Sequence, residues 1–421
     1  MKFLETLRNA WKVKDIRTKI LFTLAMLLVF RLGTFVPVPG IDSAQVQNLV
    51  QDGGGLLGLF DTLGGGAFAN FSIFAMGIMP YINASIIMQL LTVVVPTFER
   101  WSKEGEEGKK KLQQAIRYAT VVIALIQSIG LSFGFRGFVD NFGVGSVTLI
   151  ALSLTAGTAF LMWLGEQITE KGIGNGISLI IFAGIVSQLP ATLMRYFTLW
   201  QAGELQLFGI VMLLLMAVLV IAGVVYIQEG ERRIPVQYAK RVVGRKMYGG
   251  QATHIPLKVN QSGVIPVIFA TSILMFPSAI GQFTNNAIIS AIAGFFDIAS
   301  VSGQILQVLL IIAFAYFYTA ITVNPEDLAD NMKKNGGFIP GIRPGRPTAA
   351  HIQTILTRIT LVGALFLALI VMLPFILGAL VDGVQIGIGG TSLLIVVGVA
   401  LETMKQIESQ MLMRHYKGFM S

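Results

Sequence analysis

The chain of 421 residues contains no cysteine and little charge. The absence of cysteine excludes disulfide bonds, thiolate metal ligands and cysteine nucleophiles. Charged residues make up 13% of the sequence, whereas soluble proteins carry about 25%. Hydrophobic residues make up 54%, and the mean hydropathy is +0.72. The composition predicts an integral membrane protein, in which the net charge of +9 reflects basic loops on one side of the membrane rather than binding to nucleic acid.

The sequence also lacks the motifs of several kinds of active site. No Gly-x-x-x-x-Gly-Lys motif occurs, which excludes a Walker-type ATP site. No Asp, Glu or His lies in the middle of an apolar run, and Glu166 and Glu402 lie near the ends of such runs. Ion-coupled carriers usually need intramembrane acids. Intramembrane proteases need paired aspartates, a Ser–His pair or a His-Glu-x-x-His motif, so both classes are disfavoured.

Ten apolar runs are long enough to cross a bilayer, which takes about 20 helical residues. These spans are predicted at residues 20–38, 74–95, 116–135, 147–166, 176–195, 207–228, 263–283, 304–323, 355–378 and 391–411. A cleaved secretory signal is the alternative for the first run, but the polar stretch ahead of it is long and no Ala-x-Ala site follows. Arg31 is the one charge deep within a span, and we expect it to face backbone carbonyls or a polar group.

The basic residues alternate between loops as ten spans require. Most of the 31 Lys and Arg residues lie on one side, in segments 1–19, 96–112, 167–175, 229–262, 325–351 and 405–421. The loops on the other side hold only Arg136 and Arg195. The positive-inside rule then places both termini in the cytoplasm. We expect an amphipathic segment at 1–19, lying on the membrane surface, and a cytoplasmic tail at 412–421.

Two pairs of similar stretches indicate an internal repeat. Residues 77–86 and 263–273 share Gly-x-x-Pro-x-Ile-x-Ala and open the second and seventh spans. Residues 172–180 and 387–395 form a second pair, ahead of the fifth and tenth spans. The related halves are predicted at residues 20–200 and 201–411. Because each half has an odd number of spans, the second must enter the membrane from the opposite side, as in the inverted repeats of many transport proteins.

Residues 53–66 read Gly-Gly-Gly-Leu-Leu-Gly-Leu-Phe-Asp-Thr-Leu-Gly-Gly-Gly. The residues between the triple glycines are too few to cross a bilayer, and glycine tolerates the backbone angles of sharp turns. We predict a short re-entrant helix, which is permitted at membrane depth only inside protein or beside a water-filled cavity. An ordinary outer loop is the alternative, although its large apolar side chains would be poorly placed in water.

Two long cytoplasmic loops, 229–262 and 325–351, are more patterned than a topology signal requires. Their Arg, Lys and Tyr residues suit docking to an acidic protein surface or to RNA phosphates, although a plain topology signal is the alternative. A secondary transporter of small solutes is the alternative function for the whole chain, since it shares inverted repeats and broken helices. The uncharged spans and the large basic loops argue against a transporter.

Six motifs, in this order, resemble the SecY family, the channel subunits of bacterial protein translocases. They are Leu-Leu-Gly-Leu-Phe-Asp-Thr-Leu-Gly-Gly-Gly (56–66), Gly-Ile-Met-Pro-Tyr-Ile-Asn-Ala-Ser-Ile-Ile (77–87), Gly-Ile-Gly-Asn-Gly-Ile-Ser (172–178), Thr-His-Ile-Pro-Leu-Lys-Val-Asn (253–260), Pro-Gly-Ile-Arg-Pro-Gly (340–345) and Gly-Gly-Thr-Ser-Leu-Leu-Ile-Val-Val (389–397). The resemblance covers essentially the whole chain. It implies an all-α integral membrane protein, with ten transmembrane helices in two inverted five-helix halves around a central hourglass pore, and a short re-entrant plug helix.

The resemblance also assigns residues to the parts of such a channel. A ring of apolar residues that narrows the pore midway across the membrane maps onto Ile78, Ile82, Ile177, Ile181, Ile268 and Ile395. The plug maps onto Leu56, Leu57, Leu59, Phe60, Asp61 and Leu63. A lateral gate between spans 2–3 and 7–8 would open the pore to lipid. Its candidate polar contacts are Asn83, Gln127 and Thr271.

Docking residues implied by the resemblance are Arg233, Arg241, Arg245, Lys246 and Arg343. Arg245-Lys246 stands where family members often have two arginines, and lysine keeps the charge but loses the planar fork. The implied partners are the SecE and SecG membrane subunits, the SecA motor ATPase, the ribosome, signal peptides, nascent secretory or membrane proteins and the lipid bilayer.

The family passes unfolded secretory polypeptides across the bacterial plasma membrane and releases transmembrane segments sideways into lipid. The resemblance thus implies a passive channel rather than an enzyme, with no metal and no cofactor. A motor ATPase or a translating ribosome would supply the energy.

Overall fold

The computed structural model describes residues 11–418 apart from residues 54, 140, 204–206, 239–240, 244–245, 249–251, 283–286, 299 and 381–389. The described chain is mostly helical, with short strands in one region. Its internal contacts divide it into two compact units. The first unit comprises residues 1–210, 271–304 and 395–421, and the second comprises residues 211–270 and 305–394.

The helices follow the apolar runs of the sequence. Their bounds are α1 Lys14–Gly33, α2 Ser43–Gly53, α3 Gly55–Gly64, α4 Met79–Val94, α5 Pro96–Lys103, α6 Glu106–Gly134, α7 Val144–Lys171, α8 Gly176–Gln201, α9 Leu207–Glu229, α10 Ile265–Gln282, α11 Ala287–Phe296, α12 Val301–Thr322, α13 Pro325–Lys334, α14 Arg346–Leu380 and α15 Gly390–Gly418. A 3₁₀ turn at Arg136–Phe138 follows α6. A helix coincides with every one of the predicted spans.

Within the described residues, seven helices are long and apolar enough to cross a membrane: α6, α7, α8, α9, α12, α14 and α15. The count rises to eight if α4 and α5 form one broken span. The predicted first and seventh spans coincide with α1 and α10. α1 carries basic residues near both ends, and the apolar stretch found among the described residues of α10 is the short Ile265–Met275. These are the helices of a multi-pass membrane protein, whereas the count of ten spans is not confirmed.

A sharp bend ends the second predicted span. The axes of α4 and α5 differ by 99°, and Pro96 begins α5. Proline suits a first helical turn because its missing N–H would have no partner within the helix. Val95 ahead of it is extended, with φ −104° and ψ 117°, which is the conformation that a following proline favours. The chain therefore leaves the direction of α4 at the start of the predicted cytoplasmic loop 96–112.

The segment between α3 and α4 is packed as a core and is not an open loop. Phe68 and Phe71 are buried against Phe135, with ring centroids 5.9 and 5.4 Å apart. Valines from α2, and Ile150 and Leu154 from α7, complete the same cluster. Helix α3 is therefore followed by a rigid, buried stretch that leads directly into α4.

The described part of the loop 229–262 folds largely as strands, which the sequence did not lead us to predict. Their bounds are β1 Glu231–Tyr238, β2 Arg241–Val243, β3 Lys246–Tyr248, β4 Ala252–Lys258 and, from the next loop, β5 Gly337–Phe338. β1 pairs antiparallel with β4 on one edge and β5 on the other, while β2 and β3 form a separate hairpin. Ile234 and Val236 alternate with exposed residues along β1 and pack on Met332 of α13 and on Ile352 and Leu356 of α14. This alternation was the available signal for a strand.

Replacing Gly157 of α7 by alanine should lower the melting temperature of the purified protein in detergent. An added Cβ would overlap the carbonyl oxygen of Ile73, in the stretch that leads into α4, so α7 would have to move away. Overpacking of this kind costs about 1–3 kcal/mol.

Gly130→Ala on α6 is the matched control. A Cβ at Gly130 meets nothing within 4 Å, and alanine in a helix interior is more stable than glycine by roughly 0.5–1 kcal/mol. Equal melting temperatures for the two variants would contradict the close contact between Gly157 and Ile73.

Candidate functional site

The two Gly-x-x-Pro stretches adopt the same local backbone. Gly77 and Gly263 have positive φ angles of 54° and 61°, which glycine adopts without the strain that a side chain brings. A helix begins two residues later in each stretch, with Pro80 or Pro266 as its second residue. The sequence repeat is therefore also a structural repeat at the starts of α4 and α10.

Helix α4 carries two of the predicted ring residues on one face. Ile78 is the N-cap residue, and the N–H of Ile82 donates to the Ile78 carbonyl at 3.1 Å. The two side chains are buried, with 6% and 7% of their surface exposed. Residues four apart lie on the same face of a helix. Together they place a continuous apolar strip in the interior of the first unit.

Helix α8 repeats this arrangement with Ile177 and Ile181. The side-chain oxygen of Asn175 accepts hydrogen bonds from the N–H groups of Ile177 and of the following residue, at 3.1 and 3.3 Å, and so caps the helix. Gly176 lies so close to Gly165 of α7 that a Cβ would overlap its carbonyl oxygen. Ile181 is buried and Ile177 is half-buried. The cap and the close contact determine where the two isoleucines lie relative to α7.

The other two predicted ring residues lie on α10 and α15. Ile268 is half-buried and belongs to the second unit. Ile395 is buried in the first unit, with 2% of its surface exposed. Five of the six predicted ring residues thus lie in the first unit. The closure of the six into one ring stays a prediction.

Helix α3 coincides with the predicted plug. It contains Leu56, Leu57, Leu59 and Phe60, whose side chains lie outside the described part of the structure. Asp61 and Leu63 are half-buried. One carboxylate oxygen of Asp61 accepts from the N–H of Ala69 at 2.8 Å, and the other accepts from the amide of Gln188 at 3.1 Å. A short helix is therefore present and anchored at its end, while its role as a plug stays a prediction.

Arg31 of α1 binds the chain just after α3. Its guanidinium donates to the carbonyl oxygen of Gly65 and to the hydroxyl of Ser187, at 3.2 Å for the latter. It also lies 4.8 Å from the ring centroid of Phe35. The expectation that Arg31 faces a backbone carbonyl and a polar group is confirmed. Ser187 and Gln188 were not predicted, although two adjacent polar residues inside an apolar span were a usable signal.

The predicted gate residues all lie in the first unit. Asn83 on α4 and Gln127 on α6 are half-buried, and Thr271 on α10 is buried. An additional contact joins α4 and α10, where the hydroxyl of Ser272 donates to the sulfur of Met79 at 3.9 Å. Neither residue was predicted, because serine and methionine are unremarkable in an apolar run. The gating role of this seam stays a prediction.

An ion pair joins α6 and α7. Nε of Arg117 lies 2.7 Å from Oε1 of Glu166, and the amide of Gln113 lies 3.4 Å from the same oxygen. Glu166 is only 8% exposed. Because an unpaired carboxylate is costly at a buried position, the guanidinium explains how the acid is tolerated near the end of the fourth predicted span.

The turn that carries Arg343 projects from the second unit. Gly341 and Gly345 on either side of Arg343 have φ angles of 81° and 99°, so the chain reverses sharply at both. Ile342 packs against the hydrophobic cluster under the sheet, while the Arg343 side chain is exposed. The turn therefore has an apolar anchor and a charged tip.

Three of the four remaining predicted docking residues lie on strands of the same unit. Arg233 is exposed on β1. The backbone places Arg241 in β2 and Lys246 in β3, on one hairpin. Arg245 lies outside the described residues. The structure therefore places Arg233, Arg241 and Lys246 in folded strands rather than in unstructured loops.

Comparison with known proteins identifies the family. The family model described as SecY matches residues 72–404. Protein translocase subunit SecY of Halalkalibacterium halodurans is 54% identical over 427 residues, which cover 98% of this chain and 99% of the relative. The protein of the same name from Bacillus subtilis is 51% identical over 431 residues, which cover 99% of each chain.

Solved structures share the fold at much lower identity. A structure of a protein-conducting channel aligns with a TM-score of 0.62 at 18% identity, covering 93% of this chain and 92% of that chain. A SecY structure described for its plug domain aligns with a TM-score of 0.64 at 17% identity and the same coverage. Canine Sec61 from a ribosome–channel complex aligns with a TM-score of 0.62 at 17% identity, covering 93% and 92%. These structures show the fold, and the family match and the two near-full-length relatives show that the chain belongs to the SecY family.

Proposed function

We propose that this chain is the protein-conducting channel of a Sec translocase, through which unfolded secretory polypeptides cross the membrane. The observation that carries the proposal is its near-full-length identity, 54% and 51%, to two proteins named Protein translocase subunit SecY. The fold that it shares with a protein-conducting channel supports the same function. The uncharged centres of the spans suit a passive path better than an ion-coupled carrier.

The isoleucines at the starts of α4 and α8 are the proposed constriction. A polypeptide needs a hydrated path, whereas a channel without substrate must block the passage of ions. Branched apolar side chains meet both needs. A narrow apolar ring excludes water, and its side chains can move apart for a polypeptide of any sequence. Full burial of one such side chain is worth about 1.5–3 kcal/mol. Contacts among a few isoleucines are thus strong enough to close the path and weak enough for a bound polypeptide to reopen it.

Helix α3 is the proposed plug, and α4 and α10 border the proposed lateral gate. A SecY relative is described as having a plug domain that stabilises the closed state and maintains a membrane seal. The glycines on both sides of α3, at 53–55 and 64–66, give the backbone freedom that a movable helix needs. A hydrophobic signal segment would leave sideways between α4 and α10, where Met79 and Ser272 are in contact.

Energy for transport comes from partners in this proposal, because the sequence has no Walker-type nucleotide site. The basic β region and the Arg343 turn are the proposed docking surface for a SecA motor ATPase or a translating ribosome. Canine Sec61 with a similar fold is described in a ribosome–channel complex. SecE and SecG are the proposed membrane subunits. The proposed location is the bacterial plasma membrane with both termini in the cytoplasm, and the positive-inside bias of the basic loops supports the proposed orientation.

Replacing Ile82 or Ile181 by serine should raise the resting ion conductance of the channel severalfold, because a hydroxyl at the constriction retains water. Conductance would be measured on the complex in planar bilayers without substrate. Ile87→Ser is the matched control, since Ile87 lies on α4 and is 46% exposed on its outer face. Unchanged conductance in both ring variants, or an equal rise in the control, would remove these residues from the constriction.

Replacing Arg343 by glutamate should reduce motor-driven export by about tenfold or more, because reversing a charge at a docking surface repels an acidic partner. The measurement is ATP-dependent transport of a purified precursor into vesicles that contain equal amounts of channel. Lys334→Glu reverses the same charge at an exposed position of α13 and should have a much smaller effect. Normal export by the Arg343→Glu channel would exclude this residue from docking.

A further inference from the structure

A cluster of polar side chains closes around the chain just after α3. It comprises Arg31 of α1, Asp61 of α3, and Ser187 and Gln188 of α8, and it is termed the α3 latch. Arg31 donates to the Gly65 carbonyl and, at 3.2 Å, to the Ser187 hydroxyl. Asp61 accepts from the Gln188 amide at 3.1 Å. Two helices, α1 and α8, therefore hold the same turn of the chain through polar groups.

Glycines allow this turn to approach α8 closely. A Cβ on Gly65 would lie 2.8 Å from the Cα of Gly184, and a Cβ on Gly184 would lie 2.6 Å from the carbonyl oxygen of Leu63. Gly65 also has a φ of 69°, which turns its carbonyl at the end of the helix. The Ser187 hydroxyl donates to the Gly184 carbonyl at 2.7 Å, so its lone pairs are free to accept from Arg31. The close packing between this turn and α8 therefore exists at only one position of α3, and it is lost when α3 shifts.

The residues that follow this turn are held by apolar contacts rather than by polar groups. The residues that follow, Phe68 and Phe71, belong to the apolar core shared with α2 and α7. Apolar contacts of that kind remain favourable when water arrives nearby. Charge-assisted hydrogen bonds are strong in a dry, low-dielectric place and are exchanged for bonds to water once the place is wet. The two sides of the turn are thus held differently, one by apolar packing and the other by hydrogen bonds that water can replace.

We propose that the α3 latch sets the threshold for displacing α3, with Arg31 as its central positioning residue. The inference rests on the proposed function, since it takes α3 to move when a polypeptide enters the channel. A polypeptide brings water with it, and water replaces the bonds of Arg31 and Asp61. Helix α3 then swings away while the stretch after it remains packed. The channel stays closed while no polypeptide brings water to the latch, and it opens without disrupting the apolar core around Phe68 and Phe71.

The test uses the complete complex in its membrane and one reporter thiol. Because the chain contains no cysteine, Gly64→Cys at the end of α3 provides its single thiol. Gly64 is buried, and a Cβ there makes only an ordinary contact, 3.7 Å from the Cβ of Ala67. The rate of labelling by a membrane-impermeant maleimide measures how often α3 leaves its resting place. Adding Arg31→Gln should raise this rate on the order of tenfold. Ser187→Ala should raise it less, and Arg31→Lys, which keeps the charge, should restore part of the resting rate.

The same Arg31→Gln channel should export a precursor whose signal segment is too weakly hydrophobic for the unmodified channel. Arg195→Gln removes an equal charge from an exposed position of α8 and should change neither measurement. Equal labelling rates for Arg31→Gln and Arg195→Gln would overturn the latch.

If the Arg31→Gln channel does not assemble, two milder variants test the latch instead. They are Ser187→Ala and Gln188→Ala, each of which removes a single neutral hydrogen-bond partner. Unchanged labelling in both would overturn the latch. The proposed function fails separately, and only if the unmodified complex transports no secretory precursor.

Discussion

The interior of a bilayer has no water to satisfy a broken backbone, and this constraint decides where the chain can interrupt its helices. Two interruptions near the candidate site, ahead of α8 and between α3 and α4, have protein partners for their backbone groups. The N–H of Gly176 donates to the hydroxyl of Thr169 at 2.9 Å, and the N–H of Ile173 donates to the hydroxyl of Thr23 at 3.1 Å. Between α3 and α4, the N–H of Ser72 donates to the Ala67 carbonyl at 2.9 Å. Side-chain hydroxyls and tight turns thus take the place of the missing helical bonds.

Four of the predicted ring residues lie directly after these interruptions. A helix that begins again inside the protein starts at a fixed position along the chain, and its cap positions the residues of its first turn. Ile78 and Ile82 follow one interruption, and Ile177 and Ile181 follow another. Close glycine contacts then bring the new helix against its neighbour, as Gly176 lies against Gly165. The devices that satisfy the backbone are therefore the same ones that place the isoleucines.

Helix positions were largely predictable from sequence, because hydropathy directly reflects the cost of placing polar groups in lipid. The environment of Arg31 was predictable in kind for the same reason. Its partners were not, since Ser187 lies 156 residues away along the chain and only the folded structure brings them together. The Met79–Ser272 contact was missed for the same reason, with 193 residues between its members. In the β region, the alternation along β1 was a usable signal that went unused, whereas strands as short as β2 and β5 carry too few residues for a periodic pattern.

The Arg343 turn opens directly into α14, which continues for 35 residues from Arg346 to Leu380. A helix of that length extends about 50 Å, farther than the thickness of the hydrocarbon layer. Its first turns are clamped under the sheet through Ile352 and Leu356. Pro374 interrupts the backbone hydrogen bonding of this helix near its far end. The water-exposed Arg343 turn is therefore continuous with a helix that is long enough to cross the bilayer and that can bend at one defined point.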